Sequence, residues 1–89
     1  MDELVSCERG NYFIQEQTKV ADTYYFIAFN RKKKAEKPYM VGEKQADAVM
    51  RKYTNLSVTD NYIAALEEWN RRIASAISNL KTAATSAGR

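Results

Sequence analysis

Residues 23–41, TYYFIAFNRKKKAEKPYMV, decide the predicted fold because an aromatic and β-branched run leads directly into a cluster of positive charge. Residues 23–30 are rich in the side chains that fit the pleated, half-buried surface of a strand. Pro38 ends the basic segment, since it lacks an amide donor and pushes Lys37 into an extended conformation. Residues 39–41 then read as a short strand. The stretch therefore predicts two antiparallel strands joined by a basic loop.

The segment before this stretch adds one more predicted strand. Residues 11–18, NYFIQEQT, are short and aromatic-rich, which is typical of a strand. The following KVAD, residues 19–22, is long enough for a hairpin connection of about four residues. Residues 1–10 remain open between a lead-in and a first strand. We therefore expect an antiparallel meander over residues 11–41.

Helical periodicity is expected to begin after Gly42. Apolar residues recur at i, i+3, i+4 and i+7, the spacing of one helix face, at Ala46, Val49, Met50 and Tyr53. Asn55 stands where a helix C-cap is expected. The pattern predicts a first helix over residues 43–54.

A second and longer helix is predicted over residues 59–84, with Ser57 or Thr59 as the capping residue. Its apolar residues follow the 4-3 spacing of a heptad seam, at Tyr62, Leu66, Trp69, Ile73, Ala76, Leu80 and Ala83. Residues 85–89 are expected to fray. The predicted fold is a single α+β domain over residues 1–89, with a small antiparallel two- or three-stranded sheet followed by two α-helices.

Composition argues against an enzyme. The 89 residues contain no histidine, one cysteine and three scattered glycines. These counts exclude histidine-based nucleophile arrangements, a cysteine zinc site and a glycine-rich phosphate loop. We therefore expect no catalytic residue, no metal site and no cofactor. The lone Cys7 and the absence of a long apolar run predict a cytoplasmic chain without a membrane segment.

The positive charge is concentrated in one segment. Residues 31–37 carry five cations and one carboxylate, whereas the rest of the chain is nearly neutral. A basic loop of this kind can bind phosphates or an acidic protein surface. Alternatively, lysines solubilise a loop and protect a sheet edge. The candidate partner-binding residues of this loop are Arg31, Lys32, Lys33, Lys34 and Lys37.

The second candidate surface is aromatic. Both faces of residues 23–30 are apolar, whereas a sheet covered on one side alternates apolar with polar residues. Either the helices and the N-terminal segment cover both faces, or one face contacts a partner. Exposed sheet aromatics can stack single-stranded bases, as in the RNA-recognition fold, although its glycine-aromatic signature is absent here. The aromatic residues assigned to partner binding are Tyr24, Phe26 and Tyr39.

The third candidate surface is the end of the long helix. Ile73, Ile77 and Leu80 either pack inside the domain or extend beyond the sheet. In the second case they would contact a protein partner or form a homodimer through residues 62–83.

Two functional hypotheses follow from these surfaces. The first is a small non-enzymatic interaction protein that docks on an acidic macromolecular partner, as phage or mobile-element inhibitors of host machinery do by steric binding. This comparison rests on size and composition alone. The alternative is a nucleic-acid-binding module, because a three-stranded sheet followed by a helix over residues 11–53 resembles the arm-binding domains of some recombinases. The surplus of apolar surface favours the interaction protein with a protein partner.

Overall fold

The computed structural model describes residues 3–7, 10–32, 34–46 and 53–87. Within them the chain forms five strands followed by one helix. The strands lie side by side in chain order in one antiparallel sheet, so every connection is a hairpin. The elements are β1 (Leu4–Cys7), β2 (Gly10–Val20), β3 (Thr23–Asn30), β4 (Tyr39–Gln45), β5 (Tyr53–Thr59) and α1 (Tyr62–Ala87).

The central strand is β3, with the bounds expected from the sequence. It joins β2 through a turn of two residues, Ala21 and Asp22, because Val20 pairs directly with Thr23. The sequence predicted a connection of about four residues, 19–22, so residues 19 and 20 belong to β2 instead. Ala21 has a φ of 55°, a positive value of the kind that glycine usually supplies in two-residue hairpin turns. The alanine side chain is therefore strained at this position.

Replacing Ala21 with glycine is expected to stabilise the protein. Left-handed backbone costs an alanine about 1–2 kcal/mol, and the extra flexibility of glycine in the unfolded chain offsets about 0.4–1 kcal/mol of the gain. We expect the free energy of unfolding to rise by about 0.5 kcal/mol, measured by urea denaturation. Asp22→Gly is the control, since Asp22 does not share the positive φ. An Ala21→Gly variant less stable than the wild type would contradict this account of the turn.

Two irregularities in the ladder bend the sheet. One lies in β2 between Ile14 and Glu16, and the other lies opposite Gly42, where the pairing passes from Val41–Ser57 to Glu43–Thr54. In the second, the left-handed Asn55, with a φ of 52°, is one of two β5 residues facing the single Gly42. Bulges increase the local twist and bend the strand. The sheet therefore curls into a half-barrel.

The inner face of the half-barrel holds the larger core cluster. Residues from both edge strands meet there, because Val5 of β1 and Val58 of β5 belong to the same cluster. Gly42 is required at its centre, since a Cβ atom there would lie 2.6 Å from Cζ of Phe26. The buried members are Val5, Tyr12, Ile14, Phe26, Ala28 and Met40.

The helix covers the outer face. Ala65 packs against Ile27 and Val41, and Leu66 and Trp69 lie around this cluster. The indole Nε1 of Trp69 donates a hydrogen bond to the carbonyl oxygen of Tyr25 at 2.9 Å, which ties α1 to the central strand. Both faces of β3 are thus covered within the domain, one by α1 and the other by the curl of the sheet.

The predicted helix over residues 43–54 is wrong. Residues 43–45 belong to β4 and pair with residues 23–25 of β3, while residues 53–54 belong to β5; residues 47–52 lie outside the described residues. Gly42 lies within a strand instead of ending one, and Asn55 is a bulge residue instead of a helix cap. Long-range strand pairing overrode a local apolar spacing that fits a helix equally well.

The prediction of a small two- or three-stranded sheet with two helices is therefore also wrong, and the outline shared with recombinase arm-binding domains is lost. The single helix begins later than expected, because Asn61 is its cap: Oδ1 of Asn61 accepts a hydrogen bond from the amide of Ala64 at 3.1 Å. The helix continues to Ala87, so residues 85–87 are helical, whereas residues 88–89 lie outside the described residues.

A candidate binding surface at the basic end of the sheet

The basic loop connects β3 to β4 and is held by backbone contacts at its base. The amide of Asn30 donates to the carbonyl of Pro38 at 2.7 Å, and the hydroxyl of Tyr12 donates to the carbonyl of Lys37 at 2.7 Å. Since Tyr12 is an inner-face residue, the second bond draws the loop over the open end of the half-barrel. The base of the loop is therefore tied to the sheet by two hydrogen bonds.

The side chain of Asn30 has a structural role within this loop. Its Oδ1 accepts a hydrogen bond from the amide of Lys32 at 2.9 Å. The amide of Ala35 in turn donates to the carbonyl of Lys32 at 3.1 Å. These two bonds shape the backbone that carries the cations.

The cations of the loop lie on the surface. Arg31, Lys32, Lys34 and Lys37 are exposed, and Lys33 lies outside the described residues. Lys32, Lys34 and Lys37 form no ion pair with any other described residue. These four side chains are therefore accessible to a partner. Partner binding itself stays a prediction.

A cleft of about 670 Å³ separates the loop from the start of β2. Its walls are residues 10–13 on one side and the loop on the other. Four cations and the single carboxylate of Glu36 line it, so the cleft is positively charged. Such a cleft can hold an anionic group between several cations.

A row of aromatic side chains crosses the outer face beside this cleft. The register places Phe13 opposite Phe29 and Phe29 opposite Tyr39, on three neighbouring strands. Phe29 and Tyr39 meet edge to face with ring centroids 5.4 Å apart. Tyr62, the first residue of α1, lies 5.6 Å from Phe29 and 5.4 Å from Tyr39. We call Phe13, Phe29, Tyr39 and Tyr62 the aromatic row.

The aromatic row and the cleft join at one cation–π pair. The guanidinium carbon of Arg31 lies 4.1 Å from the ring centroid of Phe13, and both residues line the cleft. The row is half-buried except for Tyr62, which is 43% exposed. Leu4, at 45%, lies opposite Phe13 and extends the apolar surface beyond the row. Apolar and cationic groups therefore form one continuous surface.

The three aromatic residues assigned from the sequence do not share a face. Phe26 has no exposed surface and packs edge to face on Tyr53 inside the half-barrel. Tyr24 lies toward the opposite end of β3, with the ammonium of Lys44 5.0 Å from its ring. Tyr39 alone belongs to the aromatic row. Sequence reasoning missed Phe13, Phe29 and Tyr62, because their proximity depends on strand register and on where the helix begins.

Two cations in the middle of α1, Arg71 and Arg72, form ion pairs within the domain. Arg72 bonds the carbonyl of Asn55 at 2.6 Å and pairs with Glu43 at 3.2 Å and with Glu68 at 2.6 Å. Hydrogen bonds from Arg71 and Arg72 lower the pKa of the Glu68 carboxyl. Burial raises the pKa of the Tyr25 phenol nearby, and the charge of Glu43 adds to this. These groups fasten the helix to the sheet.

The last helical turns carry the third candidate surface. Ile73 is half-buried, whereas Ile77 is 41% and Leu80 is 45% exposed. Arg72 is the last residue of α1 that forms a hydrogen bond or ion pair with the sheet among the described residues. With 26 residues, the helix is about 39 Å long. Its end therefore presents apolar side chains to solvent, and a homodimer through it remains a prediction.

The described residues show no cluster of three or more side chains that could ligate a metal. Within the same part of the chain, no helix combines the length and apolar character that crossing a membrane requires. Comparison with known proteins gives no match: no protein-family profile, curated protein or solved structure is significantly similar to this chain. The function must therefore be argued from the surface itself.

Proposed function

We propose that this protein is a non-enzymatic binding protein that docks on an acidic macromolecule through the basic loop and the aromatic row. The observation that supports this most directly is the Arg31–Phe13 pair, at which the cationic cleft and the apolar row become one surface. Binding surfaces commonly combine a desolvated aromatic centre with a charged rim. Inhibition by steric blocking of the partner is the mode of action we propose for a chain of this kind.

The charges support fast and selective association. Cations held at one end of a nearly neutral molecule steer an acidic partner toward that end. The hydrogen bonds of Asn30 and Tyr12 hold the loop before binding, so less conformational entropy is lost when the partner arrives. The charges around Arg71 and Arg72 are paired within the domain and add little to this attraction.

The test compares two double variants that remove the same charge from different places. Lys32→Ala/Lys34→Ala removes two loop cations, and Lys19→Ala/Lys81→Ala removes two exposed cations elsewhere. Binding to heparin, polyglutamate and an oligonucleotide is measured by calorimetry at about 50 to 200 mM salt. At about 0.2–1 kcal/mol for each exposed ionic contact, loss of two contacts is expected to weaken binding by the loop variant several-fold, up to roughly tenfold. The control variant should stay within about twofold of the wild type.

Circular dichroism spectra of both variants verify that the fold is intact. Equal losses in the two variants would show that net charge alone matters, which overturns the assignment to the loop. No binding of the wild-type protein to any of the three polyanions at the lowest salt would overturn the proposed function.

A further inference from the structure

We infer that the acidic partner is a single-stranded nucleic acid whose unpaired bases stack on the Arg31–Phe13 pair and the adjoining aromatic row while its phosphates contact the loop lysines. This inference rests on the proposed function and names the partner class. Single-stranded recognition commonly combines a cationic path for the backbone with aromatic or guanidinium planes for the bases. The geometry brings both elements together at one end of the sheet.

The aromatic row and the Arg31 guanidinium form a platform for bases. Phe13, Phe29 and Tyr39 stand on adjacent strands, which are about 4.8 Å apart, so the rings succeed one another across the sheet. Arg31 extends the row at its outer end by placing a flat cationic group over Phe13. A base stacked on the guanidinium plane gains both stacking and cation–π attraction.

The loop lysines lie beside this platform. Lys32 and Lys34 line the cleft that contains Phe13 and Arg31, so a strand stacked on the pair has phosphates within the same cationic wall. The cleft, about 670 Å³ in volume, admits a nucleotide-sized group. Neighbouring bases and phosphates of one nucleic-acid strand can therefore stack on the rings and contact the lysines at the same time.

Exposed base faces distinguish a single strand from the other polyanions. In a duplex the flat faces of the bases are hidden in the helical stack, so a duplex can use the lysines but not the rings. Polyglutamate also satisfies the cations, but it has no rings to place on the row. Of the polyanions compared, only single strands can therefore use both the cations and the rings.

The experiment measures fluorescence anisotropy with labelled oligomers of about twelve nucleotides, a length within the usual range of small single-strand sites. Four probes are compared: oligothymidine, oligouridine, an abasic oligomer with the same number of phosphates, and a duplex. We expect oligothymidine or oligouridine to bind at least about tenfold more tightly than the abasic oligomer and the duplex.

Matched variants locate the stacking. Phe13→Leu keeps an apolar side chain but removes the ring, and Arg31→Lys keeps the charge but removes the planar group. Each is expected to weaken oligothymidine binding roughly tenfold while leaving heparin binding within about twofold. Phe13→Tyr, which retains a ring, should bind oligothymidine about as tightly as the wild type. Tyr24→Leu is the control, since Tyr24 lies away from the row.

The outcomes distinguish the inference from the proposed function. Equal affinity for the abasic and base-containing oligomers would overturn base stacking and leave a polyanion-binding protein. Binding of polyglutamate without binding of any oligonucleotide would overturn the nucleic-acid partner while the proposed function stands. Failure to bind heparin, polyglutamate and every oligonucleotide would overturn both.

Discussion

Replacing Phe26 with alanine is expected to lower the free energy of unfolding by about 3–5 kcal/mol, the range for truncating a buried aromatic core residue. Phe26 has no exposed surface, and its ring meets Tyr53 edge to face at 5.7 Å. The ring also lies directly against Gly42, since a Cβ atom at position 42 would be 2.6 Å from Cζ of Phe26. A loss of this size is a large part of the 5–15 kcal/mol that stabilises a typical domain.

The matched variant is Phe29→Ala, which removes the same ring from the half-buried outer row. Because Phe29 retains some exposure, we expect a smaller loss. Urea denaturation followed by the fluorescence of Trp69 and by circular dichroism measures both. If Phe26→Ala were no more destabilising than Phe29→Ala, the inner face would not be the main core. Phe26 would then again be a candidate contact residue.

The strands were predictable where the local pattern is strong. The run of aromatic and β-branched side chains in residues 23–30 identifies β3, and the residues on both sides identify parts of β2 and β4. The extension of β4 beyond Gly42 could not be foreseen, because a glycine usually weakens a strand. Here the glycine is required by the ring of Phe26, which lies on another strand. Only the pairing of β3 with β4 makes that requirement visible.

Only part of the candidate binding surface was predictable, because some of its features are local in the sequence and the others depend on strand register. The basic loop follows from the run of cations and from Pro38, which are local features. The aromatic row depends on register, and the irregularity between Ile14 and Glu16 changes which β2 residues face the helix side. Counting in steps of two along β2 therefore cannot place Phe13 beside Phe29. Tyr62 joins the row only because Asn61 caps the helix at that point.

The two edges of the half-barrel meet through side chains instead of backbone pairing. The carboxylate of Glu3, just before β1, accepts hydrogen bonds from the ammonium of Lys44 at 2.7 and 2.8 Å. It also accepts one at 2.6 Å from the hydroxyl of Tyr53 at the start of β5. The amide of Ile14 donates to the carbonyl of Glu3 at 2.8 Å, which anchors this residue to β2. A single residue thus links three strands.

Glu3→Gln is therefore expected to destabilise the fold. The side chains of Lys44 and Glu3 are only 12% and 18% exposed, so the variant leaves a poorly solvated ammonium without its counter-ion. Removing one partner of a fully buried pair costs about 3–5 kcal/mol. Because this pair keeps some solvent contact, we expect a loss of about 2 kcal/mol in urea denaturation. Glu67→Gln, at an exposed helix position, is the control and should change stability little.

The double variant Glu3→Gln/Lys44→Met decides whether the charge pair is the cause. Replacing both partners of a buried ion pair with neutral groups removes the uncompensated charge, so the double variant should recover most of the stability lost in Glu3→Gln. If the double variant instead lost the sum of the stability losses of Glu3→Gln and Lys44→Met, a direct coupling between the two charges would be contradicted. In that case the charge pair would not be the cause, and Tyr53→Phe would measure separately what the hydrogen bond from Tyr53 to Glu3 contributes. Either result identifies which contact of Glu3, with Lys44 of β4 or with Tyr53 of β5, ties the start of β1 to the other side of the half-barrel.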